Sequence, residues 1–177
     1  MQDQLWVFGY GSLVWDQCFA FTDRQVATAA GWQRSFCMWS VHYRGTADHP
    51  GLVLALDRAT GAQCRGVAFA IPFGAEQATI AALRERELIS SAYLEETITI
   101  TLQDGRCVPA LTYVINRDHA QYTGPLTPET QAQIIATRHG VRGPNRDYLF
   151  ATARHLADIG LADPELDALV TRVRALP

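Results

Sequence analysis

Along roughly the first two thirds of the chain, apolar positions fall in short runs or alternate with polar ones, the pattern of strands. Leu5 to Tyr10 (LWVFGY) is an apolar run ending in Gly-Tyr-Gly-Ser; it predicts a buried strand feeding a tight loop. Gly31 to His42 puts Trp32, Arg34, Phe36, Met38 and Ser40 on one parity and predicts a long strand. Gly51 to Asp57 (GLVLALD) predicts a compact apolar strand, Arg58-Ala-Thr-Gly a turn, and Gln63 to Ile71 the return strand of a hairpin. Gly66 inside that return predicts a bulge or a close backbone approach.

From Gly74 to about Leu88 the spacing switches to helical, with Ile80, Leu83, Glu87 and Leu88 on related faces. Thr97 to Leu102 (TITITL) is rich in β-branched residues, Asp104-Gly105 is a hairpin turn signal, and Arg106 to Ile115 carries the return. The remainder predicts helices. One opens with Thr127 as cap and Pro128 in the first turn and ends near His139-Gly140. A second runs from Asn145, a natural capping residue, to about Ile159, with Gly160 as its stop. Asp163-Pro164-Glu165 opens a third that continues to the C-terminus. The absence of regular βαβ alternation argues against a doubly wound parallel sheet. The expected fold is α+β: a mostly antiparallel, barrel-like sheet with flanking helices. No repeat, linker or low-complexity stretch divides the chain, so residues 1–177 are expected to form a single domain.

Composition narrows the chemistry. The 177 residues are 48% hydrophobic and 19% charged, enough apolar content to build a core without disulfide or metal staples. A net charge of -3 and the lack of basic clusters argue against a nucleic-acid-binding barrel. All 15 basic residues are arginine, which excludes a lysine Schiff base, a lysine nucleophile and a lysine-dependent phosphate loop. The opening residues lack a charged region followed by an apolar run, so no signal peptide is expected. No stretch approaches the roughly 18–20 apolar residues of a membrane span. Cys18, Cys37, Cys64 and Cys107 are irregularly spaced, and the five histidines form no ligand pattern. An intracellular, cytoplasmic protein with thiols and no structural zinc is expected.

Four segments could carry chemistry. In Phe8 to Trp15 two glycines flank Tyr10 at a strand end; this is either a β-turn with a serine in it or a nest of amides for a carboxylate or phosphate, with Ser12 adding a hydroxyl. It is not a dinucleotide fingerprint. In Arg84-Glu-Arg-Glu-Leu88 residues two apart point to different faces, so one glutamate can be solvated while the other faces inward. A glutamate facing an apolar pocket has a raised pKa and can serve as a base near neutral pH. Arg44 is either a surface arginine or a carboxylate ligand, and Tyr148, in a first helical turn, could present its hydroxyl to a cleft.

In this order, YGSLVW at 10–15, GWQRSF at 31–36, HYRGT at 42–46, PGLVLALD at 50–57, Arg86-Glu87 followed by Tyr93, and GPNRDYL at 143–149 resemble the ChaC-type γ-glutamylcyclotransferases, glutathione-specific branch. The resemblance covers nearly the whole chain, from Trp6 into the final helices. It implies a small mixed α+β barrel-like domain that cleaves the γ-glutamyl bond of glutathione to 5-oxoproline and cysteinylglycine. It implies that Tyr10, Gly11, Ser12, Leu13, Val14 and Trp15 hold the γ-glutamyl group and that Glu87 is the general acid/base. Arg84-Glu85 repeats the Arg-Glu pair one step earlier, and the distance to Tyr93 selects Glu87. Arg44 and Tyr148 are the further substrate-binding candidates. No metal or cofactor is expected, because the substrate's own α-amine is the nucleophile. The alternatives are a cyclotransferase for other γ-glutamyl amino acids or amines, and a non-catalytic γ-glutamyl-binding regulator. The residues do not specify an oligomeric state.

Overall fold

The alternation in TITITL becomes the two faces of a barrel strand: Ile98, Ile100 and Leu102 are buried, while the intervening threonines are exposed. The computed structural model describes residues 3–177. Its elements are β1 (Trp6–Gly9), a short 3-10 turn (Ser12–Val14), β2 (Asp23–Ser40), β3 (Gly51–Ala70), α1 (Glu76–Glu87), β4 (Tyr93–Leu102), β5 (Cys107–Ile115), α2 (Pro128–Thr137), β6 (His139–Gly140), β7 (Gly143–Pro144), α3 (Asn145–Asp158) and α4 (Pro164–Arg174). The chain divides into two compact units. One comprises the residues up to Ser35 with Leu56–Asn116; the other comprises Phe36–Ala55 with Arg117–Pro177.

The first unit carries most of the barrel. The strand order is β1-β3-β2-β4-β5, closed, with a further β3–β5 pairing. β1 runs antiparallel to β3, with Phe8 opposite Ala68, and parallel to β5, with Trp6 opposite Ala110. The hairpin β4–β5 pairs Ile98 with Ala110. Trp6, Phe8, Trp32, Leu56, Ile100 and Val114 belong to one buried apolar cluster with several alanines. Burial of such side chains contributes roughly 1.5–3 kcal/mol each.

Two sequence expectations change here. β3 is one uninterrupted 20-residue strand, not a hairpin broken at Arg58–Gly61. Gly61 sits within the strand at φ 80°, a conformation glycine adopts without strain, and the ladder overrides the local turn propensity. β2 begins at Asp23 rather than Gly31, because the small residues Ala27 and Ala29 face the core and give little apolar signal. Gly66 is a close approach as expected: a Cβ there would meet the Gly9 carbonyl oxygen and lie 2.7 Å from the Phe8 ring.

In the second unit, α2, α3 and α4 pack on one another, and Ile135, Leu149, Leu156, Leu166, Leu169 and Val173 on them are buried. The Thr127 hydroxyl accepts from the Thr130 amide at 3.2 Å. Asp163 accepts from the amides of Glu165 and Leu166 at 3.0 and 3.2 Å. Both caps stand where the sequence put them. Asn145 does not cap: Pro144 holds that position, and the buried Asn145 amide pairs with the Leu52 backbone in both directions, each bond 2.8 Å. A buried strand edge with two unpaired groups outcompetes a helix end that water can serve.

Candidate active site

β1 ends at Gly9, and the chain turns through Tyr10 and Gly11 into the 3-10 turn. The Val14 amide donates to Gly11 O at 3.0 Å, and the Asp16 amide to Ser12 O at 2.8 Å. The amides of Gly11, Ser12 and Leu13 precede the first bond of this turn, as at any helix start. Leu13 and Val14 are buried and anchor the turn, and the Gln17 side-chain amide braces it by donating to Leu13 O and Val14 O at 2.8 and 2.7 Å. A Cβ added at Gly11 would meet nothing within 4 Å, so there is open space beside this buried glycine. Tyr10 is tied at both ends. Its hydroxyl donates to Tyr113 O at 2.8 Å, and its carbonyl accepts from Arg34 Nε at 2.6 Å.

Glu87 is the last residue of α1. Leu83 and Thr79, four and eight residues earlier on the same line, are buried, whereas Glu85 is exposed. The helical spacing left open which of the two glutamates turns inward; it is Glu87. The Glu87 side chain is 16% exposed, and its Oε1 lies 3.2 Å from Arg86 Nε. Burial pushes its carboxyl above the usual carboxylate range, and the Arg86 charge and hydrogen bond pull part of the way back. The final turn of a helix, rich in carbonyl ends, also disfavours an anion.

Two sets of contacts that sequence reasoning missed complete this half of the site. Arg86 Nη2 donates to Ser12 Oγ at 2.9 Å and Nη1 to Asp16 O at 2.5 Å. Behind Tyr10, the Tyr113 hydroxyl donates to Glu95 Oε2 at 2.9 Å, and Arg84 binds both Glu95 oxygens at 2.9 and 2.7 Å. Burial first, then the Glu95 bond, raises the Tyr113 pKa far above that of a free phenol. The Arg84 hydrogen bond holds Glu95 below the usual range. Glu95 faces Tyr113 across the hairpin. The Asp104-Gly105 turn register, extended back past Thr97, was the signal that could have found this pair.

Arg44 and Tyr148 lie in the second unit, and there they meet: the Arg44 guanidinium is 5.8 Å from the centroid of the Tyr148 ring. Arg44 Nη1 donates to Arg142 O at 2.8 Å and Pro144 O at 3.2 Å. The Tyr148 hydroxyl accepts from the Leu54 amide at 3.3 Å, and its ring stands edge-on to Phe36 at 5.9 Å. The start of β3 is tightly seated: a Cβ at Gly51 would lie 2.7 Å from Asn145 Oδ1. Among the described residues no group of three or more His, Cys, Asp or Glu could hold a metal ion. Cys37 and Cys64 are buried thiols, and Cys18 and Cys107 exposed ones. No helix among the described residues is long and apolar enough to cross a membrane.

In the first unit, then, a glycine-containing loop and a largely buried carboxylate are joined by one arginine. Comparison with known proteins gives this geometry a context. A family model described as ChaC-like protein matches residues 5–176. The chain is 35% identical over 172 residues to the glutathione-specific gamma-glutamylcyclotransferase of Escherichia coli (strain K12), covering 97% of this chain and 74% of that one. It is 32% identical over 173 residues to glutathione-specific gamma-glutamylcyclotransferase 1 of Homo sapiens, covering 96% and 78%. A yeast gamma-glutamyl cyclotransferase specific to glutathione has a crystal structure with a TM-score of 0.85 at 24% identity, covering 98% of this chain and 97% of that one; the likeness is one of fold.

Proposed function

The chain belongs to the ChaC-like family, and from that premise we propose that it is a γ-glutamylcyclotransferase that cleaves glutathione to 5-oxoproline and cysteinylglycine. The observation that carries the reading is a carboxylate, Glu87, 16% exposed at the end of α1 and joined through Arg86 to the Ser12 loop.

The substrate brings its own nucleophile. Its α-amine is an ammonium in solution and must lose a proton before it can attack. A carboxylate whose pKa is raised by burial is suited to take that proton. The amine nitrogen then bonds to the γ-carbonyl carbon and closes a five-membered ring. The bond from that carbon to the cysteinyl nitrogen breaks as Glu87 returns the proton to the departing nitrogen, and the second proton, which the ring nitrogen sheds to become the lactam N–H, passes to the freed amine and leaves it an ammonium. Atoms and charge balance without water, an acyl-enzyme or a redox step. Because attack is intramolecular, the protein's main task is to hold the glutamyl arm folded. The amides of Gly11, Ser12 and Leu13 and the Ser12 hydroxyl suit the α-carboxylate, and Tyr10, Val14 and Trp15 frame the same arm. The resemblance extends substrate contact to Arg44 and Tyr148, which Arg44→Ala and Tyr148→Phe test through KM. The family match spans both compact units, which supports residues 1–177 acting as one functional domain. A substrate of the reducing cytoplasm and four cysteines present as thiols support a cytoplasmic setting.

The test is to incubate the protein with glutathione and measure 5-oxoproline and cysteinylglycine. Equimolar release supports the reading. Release of 5-oxoproline from other γ-glutamyl compounds but not from glutathione moves the substrate assignment and keeps the reaction. Binding without any release converts the protein to a γ-glutamyl-binding module.

A further inference from the structure

Arg86 makes three different contacts with three different nitrogens: Nη2 to Ser12 Oγ at 2.9 Å, Nη1 to Asp16 O at 2.5 Å, and Nε to Glu87 Oε1 at 3.2 Å. The first two partners bracket the 3-10 turn, 74 and 70 residues away in sequence; the third is the neighbouring side chain on α1. The Arg86 side chain is 24% exposed; its bond to Ser12 is partly withdrawn from water, while that to Asp16 O lies at the surface. By contrast, Asp16 Oδ2 is 3.6 Å away on a side chain that is 73% exposed, a pairing worth little. A planar guanidinium can serve three acceptors at fixed angles, which a lysine ammonium on a flexible stem cannot.

We propose that Arg86 is a positioning residue that locks the Ser12–Asp16 loop and the Glu87 carboxylate into one rigid piece, fixing the distance between the γ-glutamyl cradle and the base. This rests on the reading of that loop as the cradle and Glu87 as the base. The role has two separable parts. The fork holds the loop, which governs binding. The charge beside Glu87 limits how far burial raises its carboxyl, which governs where activity begins as pH rises. The other titratable or charged groups near Glu87 are Tyr113 on β5, Glu95 on β4 bonded to Tyr113, Arg84 bonded to Glu95, and Asp16 beyond Arg86. Tyr113 stays protonated throughout the working range, because its pKa lies far above it.

The experiment compares wild type, Arg86→Lys, Arg86→Gln and Glu87→Gln in glutathione cleavage across pH, with thermal melts alongside. Arg86→Lys keeps the charge and loses the fork. Its KM is expected to rise about tenfold, the scale of one lost charge-assisted hydrogen bond, with the acidic limb of kcat/KM moved less than in Arg86→Gln. Arg86→Gln loses both, so its KM rises and its acidic limb moves to higher pH, because the carboxylate has lost the adjacent cation. A merely structural arginine would lower the melting temperature and leave KM and the limb alone. Wild-type KM in both variants, or an unmoved limb in Arg86→Gln, overturns the inference. If Arg86→Gln does not fold, Arg86→Lys decides: a raised KM supports the inference and a wild-type KM overturns it. Failure of the underlying reading looks different, since Glu87→Gln would then retain full turnover or wild type would release no 5-oxoproline.

Discussion

Glu87 and Glu85 are two residues apart on one helix, yet one is largely buried and the other exposed. Only a carboxylate removed from water has its pKa raised enough to accept a proton from an ammonium near neutral pH. Glu87→Gln is therefore expected to lose at least about two orders of magnitude in turnover, the lower range for a positioned general base. Glu85→Gln should change stability by no more than about 0.5 kcal/mol and leave the rate intact. The same burial has a cost in stability. A carboxyl whose folded pKa lies above its unfolded value stabilises the fold below the unfolded pKa, and that stabilisation is lost as pH rises through the folded pKa. At pH 7 Glu87→Gln should accordingly melt at or above wild type, with the difference closing as the buffer is taken down toward about pH 4. A variant that melts well below wild type at pH 7 would show that Glu87 contributes to stability rather than detracting from it.

At the scale of elements, helix ends separate two kinds of polar residue. Thr127 and Asp163 serve amides at exposed helix starts, and each change to alanine should cost about 1 kcal/mol, read from denaturant midpoints. Asn145 serves a buried backbone instead, satisfying the amide and the carbonyl of Leu52 together. Asn145→Ala would strand both, so roughly 2–4 kcal/mol of destabilisation is expected from the same measurement. Equal costs for Asn145→Ala and Asp163→Ala would show that water reaches Leu52 in the variant. A capping signal in sequence reports only that an Asn can cap. What it bonds depends on which unpaired groups lie nearby, and Leu52 is 93 residues away.

For the whole molecule, the prediction concerns substrate and metal. Glutathione should be turned over much faster than γ-glutamyl-alanine, as the kinship with glutathione-specific enzymes implies. Glutathione disulfide, whose leaving group carries a second tripeptide, should be a poor substrate. Comparable rates on glutathione and γ-glutamyl-alanine would remove the specificity and leave the reaction class. Activity should survive a strong chelator, since the ring-closing nucleophile is the substrate's own amine and the described residues offer no ligand cluster. Loss on chelation, restored by a divalent ion, would overturn this.

Local pattern alone determined much of this protein. The TITITL alternation, the Asp104-Gly105 turn, the caps at Thr127 and Asp163 and the glycine-flanked loop after β1 are each set by residues within a few positions of one another. The inward line of α1 ending at Glu87 is legible for the same reason, because helical spacing assigns a face before any partner is known. Tertiary structure decided the rest. Arg58–Gly61 reads as a turn by propensity and becomes strand because neighbouring strands supply ladder partners. Arg86 reads as one more charge on a helix and becomes the tie between the loop and the Glu87 carboxylate because the fold brings Ser12 and Asp16 within reach of its fork. Glu95, Tyr113 and Arg84 form a chain only once the hairpin register and the end of α1 coincide. Sequence periodicity encodes which way a side chain faces; which group it meets there is fixed by contacts between segments far apart in the chain.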